Sequence, residues 1–368
     1  MSRGRRWLYW AILLTILAGF VWAVSVVARA TTGYLYVKRQ PPGWRGQVVR
    51  ADPRLGFAPV RSSVGAEILG GGEGVPVRFD GSGFRVPLSG VEPAGGPVVL
   101  ALGDSFTFGT GCRAEETYAA RVASALHGRA LNAGFSGYGL AQMLERARQV
   151  LSTVRPDLVL VQASTWLPDR AARPLRASLF GLLPVPYYAA GPGGHPAWRP
   201  PVFTSKLFDL PISRYRDTAK GPLDWAAFVA NVGFPLFLHD DAWWVRMRLA
   251  RSSGRLPDGA EERAISAAFY GAMARLCQER GARMVVVVLD GAGKRRVVPA
   301  ELGLPAGVPL VDTNPGLYAR ISGTDRRSYL RAYGHWRGSP PVLVDEHPNA
   351  RAHAIVAEQV LAALGRMP

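Results

Sequence analysis

The chain has 368 residues, 44 Lys and Arg against 27 Asp and Glu, a formal charge of +17, 48% hydrophobic residues and two cysteines. Its length and apolar content suffice to bury a full-sized core, which excludes disorder as the main state. Two Cys and six His are too few for a disulfide framework, a Cys-rich zinc site or a histidine metal cage. The positive charge rests on 40 Arg and only 4 Lys spread along the chain, with Lys294-Arg295-Arg296 the one dense run, and this argues against a nucleic-acid partner.

Arg3, Arg5 and Arg6 precede 21 uncharged residues, Trp7 to Val27. At about 1.5 Å per residue these span about 30 Å, the thickness of a bilayer's hydrocarbon layer. Trp7, Tyr9, Trp10 and Trp22 lie where amphipathic rings favour the membrane interface. The expected arrangement is a cytoplasmic tail at 1–6, a single-pass anchor over 7–28, and the remainder outside the cytoplasm, in the periplasm or beyond. Ala28-Arg29-Ala30 has the form of a signal-peptide cleavage site, so a cleaved leader is the alternative. The length of the run and its three Trp favour the anchor. A buried helix of a soluble protein fits least.

Residues 29–95 read as a linker and a small β arm, with Pro41-Pro42-Gly43, Gly70-Gly71-Gly72 and extended pieces at Val75 to Phe79 and Phe84 to Val86. From about residue 96 to 368, apolar runs alternate with helical periods, the pattern of an α/β domain with a parallel sheet. The strands expected are Val98 to Leu102, Ala130 to Asn132, Leu158 to Val161, Met284 to Leu289 and Val308 to Val311; the helices are 115–127, 139–153, 258–280 and 349–364. The rhythm lapses at about 170–255 into Pro- and aromatic-rich sequence, read as an insertion. Pro235 is expected to interrupt a helix starting near Asp224. Whether the insertion borders the site or only adds structure stays open.

Ser105 stands just past the strand Val98 to Leu102, where open α/β sheets bind ligands. A hydroxyl is a weak nucleophile and needs a base that is itself oriented by an acid. Asp345-Glu346-His347-Pro348 supplies both before the closing helix, since residues two apart on an extended segment project to one side. After the second strand, Gly137 is positioned to offer a backbone N–H beside that of Ser105, giving two oxyanion donors. No metal ligand set or cofactor motif is present: Gly291-Ala292-Gly293-Lys294-Arg295 lacks the spacing of a phosphate loop, and His127, His195, His239, His335 and His353 have no partner at ligand spacing. Cys112 and Cys277 read as small buried residues.

Gly-Asp-Ser-Phe at 103–106, Asn-x-Gly-x-x-Gly at 132–137 and Asp-x-His-Pro-Asn at 345–349 resemble the blocks of the SGNH, or GDSL-type, hydrolases in the same order. The Asp-Gly-Ser-Gly-Phe-Arg stretch at 80–85 is similar to an element preceding the catalytic domain in some bacterial members. The resemblance implies a three-layer, flavodoxin-like α/β fold and ester hydrolysis or acyl transfer. It makes Ser105 the nucleophile, His347 the base, Asp345 its partner, and Ser105 and Gly137 the oxyanion donors. Asp104 and Asn132 are supporting candidates. One block departs: where the family has an Asn after the third strand, this chain has Gln162-Ala163-Ser164-Thr165, so Gln162 or Thr165 substitutes as a donor or the hole has two donors. The function expected is a membrane-anchored serine esterase acting on an acyl ester of an envelope polysaccharide or lipid. The alternatives are an O-acetyltransferase for an exported polysaccharide and a catalytically weak binding protein of the same fold.

Overall fold

The computed structural model describes residues 3–39, 43–70, 72–90, 95–178, 181–238, 257–292 and 296–366. The first element, α1 (Arg3–Lys38), is long and apolar enough to cross a membrane, its most apolar 18-residue stretch having a mean hydropathy of 2.5 and being 6% buried. Its first two thirds expose Trp7, Leu14 and Phe20, whereas Val26, Ala30, Tyr34 and Val37 near its end are buried.

The stretch expected to begin a linker at residue 29 is therefore helix as far as Lys38. Its buried face is held from outside: the Lys38 ammonium lies 2.6 Å from the Asp224 carboxylate, Trp225 Nε1 donates to Thr31 Oγ1 at 3.0 Å, and Tyr34 packs edge-on against Phe228. Ala30 occupies the space that a side chain on Gly233 would fill. Thr31 and Thr32 are poor helix formers, so tertiary contact rather than propensity carries these turns.

The strands in chain order are β1 (Gly43–Arg45), β2 (Val49–Asp52), β3 (Gly56–Pro59), β4 (Val64–Ile68), β5 (Val75–Phe79), β6 (Arg85–Val86), β7 (Val98–Leu102), β8 (Arg129–Asn132) and β9 (Leu158–Ala163). They continue with β10 (Leu175–Ser178), β11 (Gly181–Pro184), β12 (Tyr187–Ala190), β13 (Pro196–Arg199), β14 (Arg283–Val288), β15 (Leu310–Asp312), β16 (His335–Arg337) and β17 (Val342–Asp345). Five of them form a parallel sheet in the order β8-β7-β9-β14-β15. Counted among themselves this is 2-1-3-4-5, the flavodoxin-like order, with its switch point between β7 and β9.

Alternate residues point to opposite faces, and both faces are covered. Val99, Ala101, Leu160, Val285 and Val287 meet helices Tyr118–Ala125 and Ala350–Leu364; Leu100, Leu102, Val161, Val286 and Val288 meet helices Leu140–Leu151 and Gly259–Glu279. Helix, sheet and helix make three layers. The β arm does not stand apart from them: β6 pairs antiparallel with β8 through Arg85 opposite Asn132, and β5, β4 and β1 follow, extending the sheet to nine strands.

The insertion opens with two antiparallel hairpins, β10–β11 and β12–β13. It then forms a helix at Pro222–Phe228, a π-helical turn at Val229–Gly233 and a helix at Phe234–Leu238. Pro235 does not interrupt this run. It is the second residue of the last segment, and the wider π turn before it absorbs the strain that a proline in a regular α-helix imposes. His239, Trp243 and Trp244 of the insertion, like Gly71, Gly293, Lys294 and Arg295, lie outside the described residues.

Candidate active site

Ser105 follows β7 by two residues, at the carboxyl end of the sheet and beside its switch point. It opens a single helical turn, Ser105–Phe108, that Asp104 caps by accepting from Phe106 N and that ends at Gly109 with φ +82°, a conformation only glycine adopts without strain. As the first residue of that turn, Ser105 has a backbone N–H with no intrahelical acceptor.

His347 Nε2 lies 2.8 Å from Ser105 Oγ, and His347 Nδ1 lies 2.6 Å from Asp345 Oδ1, which also accepts the His347 backbone N–H at 2.8 Å. The turn carrying His347 is pinned by Asn349. Its side chain donates to the carbonyls of Ala332 and Gly334 and accepts from Arg351 N and Ala352 N at the start of the closing helix. Burial pulls the imidazole pKa down, but the hydrogen bond and charge of Asp345, with Asp104 and Glu67 further off, outweigh it, so His347 is raised above its ordinary value. Burial likewise pushes Asp345 up and is outweighed by its bonds to His347, leaving that carboxylate below its usual range. The arrangement is that of a serine hydrolase's nucleophile, base and orienting acid.

Asp104 is fully buried and accepts four hydrogen bonds, from Phe106 N (2.9 Å), Gln162 Nε2 (2.8 Å), Trp166 Nε1 (2.7 Å) and Arg170 Nη1 (2.7 Å). It fixes the nucleophile turn to the end of β9. Gln162 is no substitute oxyanion donor, because both of its amide hydrogens are committed, to Asp104 Oδ1 and Ser164 Oγ at 2.8 Å, while its oxygen accepts from Asp104 N and Thr107 Oγ1. Thr165 turns its backbone N–H to Asp290 Oδ1 at 3.3 Å and lines a separate hollow with Pro168 and Arg296 that includes neither Ser105 nor His347. Asn132 also spends its amide within the fold, donating to the Thr107 and Phe108 carbonyls and accepting from Gly134 N. It ties the nucleophile loop to the loop bearing Gly137, whose φ of +88° requires glycine.

Four residues that sequence reasoning left without a role complete the setting. Trp166 and Arg170 hold Asp104, as above. Arg85 of β6, 3% exposed, donates to the carbonyls of Phe108, Gly109 and Cys112 and stacks over the Phe108 ring at 4.1 Å; the motif at 80–85 marked the position but not this task. Glu67 of β4 accepts from Thr110 Oγ1 and Gly111 N in the same loop. A cleft of about 310 Å³ opens beside His347, lined by Phe106, Trp166, Arg170, Asp290 and Arg326. No group of three or more His, Cys, Asp or Glu placed to hold a metal occurs among the described residues. Cys112 and Cys277 are buried free thiols, and His353 accepts from Tyr118 N in the core.

No protein-family model and no curated protein matches the chain. Among solved structures it is similar to AlinE4, an SGNH-hydrolase family esterase, at 35% identity over 18% of this chain and 40% of that one, with a TM-score of 0.17. It is similar over greater length to LAE5, an α/β hydrolase from the metagenome of Lake Arreo, at 14% identity over 75% of this chain and 98% of that one, with a TM-score of 0.34. A lipolytic protein of the G-D-S-L family from Veillonella parvula aligns at 10% identity over 73% of this chain and 98% of that one, with a TM-score of 0.35.

Proposed function

We propose that the protein is a serine esterase, held to a membrane by α1 and acting outside the cytoplasm on an acyl ester of an envelope glycan or lipid. The observation that carries the reading is the unbroken chain from Ser105 Oγ through His347 to Asp345 at 2.8 and 2.6 Å. As Ser105 Oγ attacks the acyl carbonyl, its proton passes to His347 Nε2, and Asp345 stabilises the imidazolium. The carbonyl π electrons move to oxygen, where the Ser105 and Gly137 N–H groups are the candidate donors. Collapse expels the alcohol, which leaves with the proton from His347. Water then repeats the sequence on the acyl-serine, releasing the carboxylic acid and restoring Ser105. Extracytoplasmic placement rests on the apolar run of α1 behind Arg3, Arg5 and Arg6.

The test uses the full chain in detergent. Labelling by a fluorophosphonate at Ser105 and turnover of aryl acetates are expected. Absence of both would point to a binding protein that keeps the fold without the chemistry. Product analysis with an acetyl donor and a glycan separates hydrolysis from transfer to a sugar hydroxyl, since both share the acyl-serine.

The pH profile gives an independent check. His347 acts as a base only when neutral and its pKa is raised, so kcat/KM is expected to fall on acidification through a value above the ordinary imidazole pKa of about 6.5. In Asp345→Asn that limb is expected to move to lower pH while the plateau rate drops. An unchanged limb would mean that His347 is not the titrating base.

A further inference from the structure

We propose that Arg176, brought to the site by the insertion, recognises an anionic group, a carboxylate or a phosphate, on the ester substrate. The inference rests on the esterase reading above and narrows its substrate class.

Arg176 is the second residue of β10, in the first hairpin of the insertion. That hairpin is seated against the arm and the oxyanion loop: the Pro184 carbonyl lies where a side chain on Gly56 would begin, and Val185 packs with Phe57, Phe135 and Tyr138. The seating brings Arg176 Nη1 to 3.0 Å from the point where a side chain on Gly137 would start. Gly137 therefore leaves room for the guanidinium as well as adopting its positive φ. The loop from Asn132 to Tyr138 adjoins the nucleophile loop directly, with Ser136 Oγ 3.1 Å from Thr110 Oγ1.

Among the described residues, the neighbouring arginines are paired with carboxylates and no such pair is seen for Arg176. Arg173 pairs with Asp169 at 2.7 Å, and Arg170 pairs with Asp104 and also donates to the Tyr138 carbonyl. Asp104 already accepts four bonds, so it has no capacity to serve a second arginine. Burial, helped by the charge of Arg170 and opposed by Asp104 and Asp169, pulls the pKa of Arg176 down to about 9, so at neutral pH it remains a cation. A partly buried guanidinium with no direct carboxylate pair has donors to offer, and a planar carboxylate or phosphate oxygen pair meets its fork of donors directly. A ligand anion at this position would lie against the loop that carries Gly137.

The experiment compares three acetate esters of one methyl glycoside with the full chain in detergent: a neutral glucoside, a glucuronate and a glucoside 6-phosphate. At least one anionic ester is expected to exceed the neutral one by about 10- to 100-fold in kcat/KM, mainly through KM. The carboxylate and phosphate arms identify which anion is read. Arg176→Gln is expected to abolish the preference, lowering kcat/KM for the anionic ester towards that for the neutral one, and Arg176→Lys to restore part of it. Fluorophosphonate labelling of Ser105 confirms that each variant is folded. A wild-type enzyme indifferent to charge, or a preference that survives Arg176→Gln, overturns the proposal and leaves the esterase reading standing. If no ester is turned over, calorimetric binding of the unesterified glucuronide and glucoside 6-phosphate to wild type and Arg176→Gln decides the matter: binding lost in the variant supports the proposal, and no binding to wild type overturns it.

Discussion

Ser105→Ala is expected to lower ester turnover by about 10⁴-fold or more without changing stability appreciably, as loss of a nucleophile does when the rest of the site is intact. The hydroxyl contributes one bond to the fold, to His347 Nε2, and the turn carrying it is held by Asp104 and Gln162 rather than by the serine itself. His347→Ala is expected to fall to a similar level, and the double variant little further, because nucleophile and base act as a unit. The measurement is kcat on an aryl acetate with the thermal midpoint recorded in parallel. Turnover in Ser105→Ala equal to that of wild type would remove the acyl-serine from the mechanism.

Arg85→Leu is expected to have the largest effect on the fold, about 3–5 kcal/mol of stability, because it strips donors from three buried carbonyls at once. Phe108, Gly109 and Cys112 lie immediately after the nucleophile turn, and the same guanidinium stacks on the Phe108 ring. The loss is expected to appear both as a lowered denaturant midpoint and as slow fluorophosphonate labelling, since the loop behind Ser105 loses its support. Arg85→Lys is expected to recover only part of the loss, because an ammonium on a flexible stem does not reproduce the guanidinium's planar fork. Equal stability of wild type and Arg85→Leu would show that the loop is held by Glu67 and Asn132 alone.

The parallel sheet was legible because its strands are buried on both faces and read as continuous apolar runs. Val98 to Leu102 matches the observed strand, and the other four differ by one or two residues at their ends, where helices and loops take over. The pairing of Asp345 with His347 was legible for a local reason, two-residue spacing on an extended segment. What escaped was held by distant contacts. The extended piece at Phe84 to Val86 is β6, but its pairing with β8 was not legible, and the helix beyond residue 28 depends on partners between 218 and 233. Trp166 and Arg170 are separated from Asp104 by about 60 residues of chain and follow no period. Gln162 sits where a donor to substrate was expected, but its amide donates to the Asp104 and Ser164 side chains and accepts from Asp104 N and Thr107 Oγ1. The sequence position was informative, and only the direction of the side chain decided the role.

The docking of α1 bears on where the site can reach. With residues 7–27 in a bilayer, the helix continues for about 15 Å beyond the hydrocarbon at 1.5 Å per residue, and that projecting part is fastened to the globular body by Thr31, Tyr34 and Lys38. A flexible tether would let the body sweep a broad shell around its point of attachment. If α1 is the anchor proposed above, a fastened one would make it tilt with the helix, as a lever follows its shaft, so the mouth of the cleft would stay at one height above the lipid. In that arrangement esters within that layer would meet Ser105 repeatedly, and those outside it would have to be brought there by the mobility of their own chains.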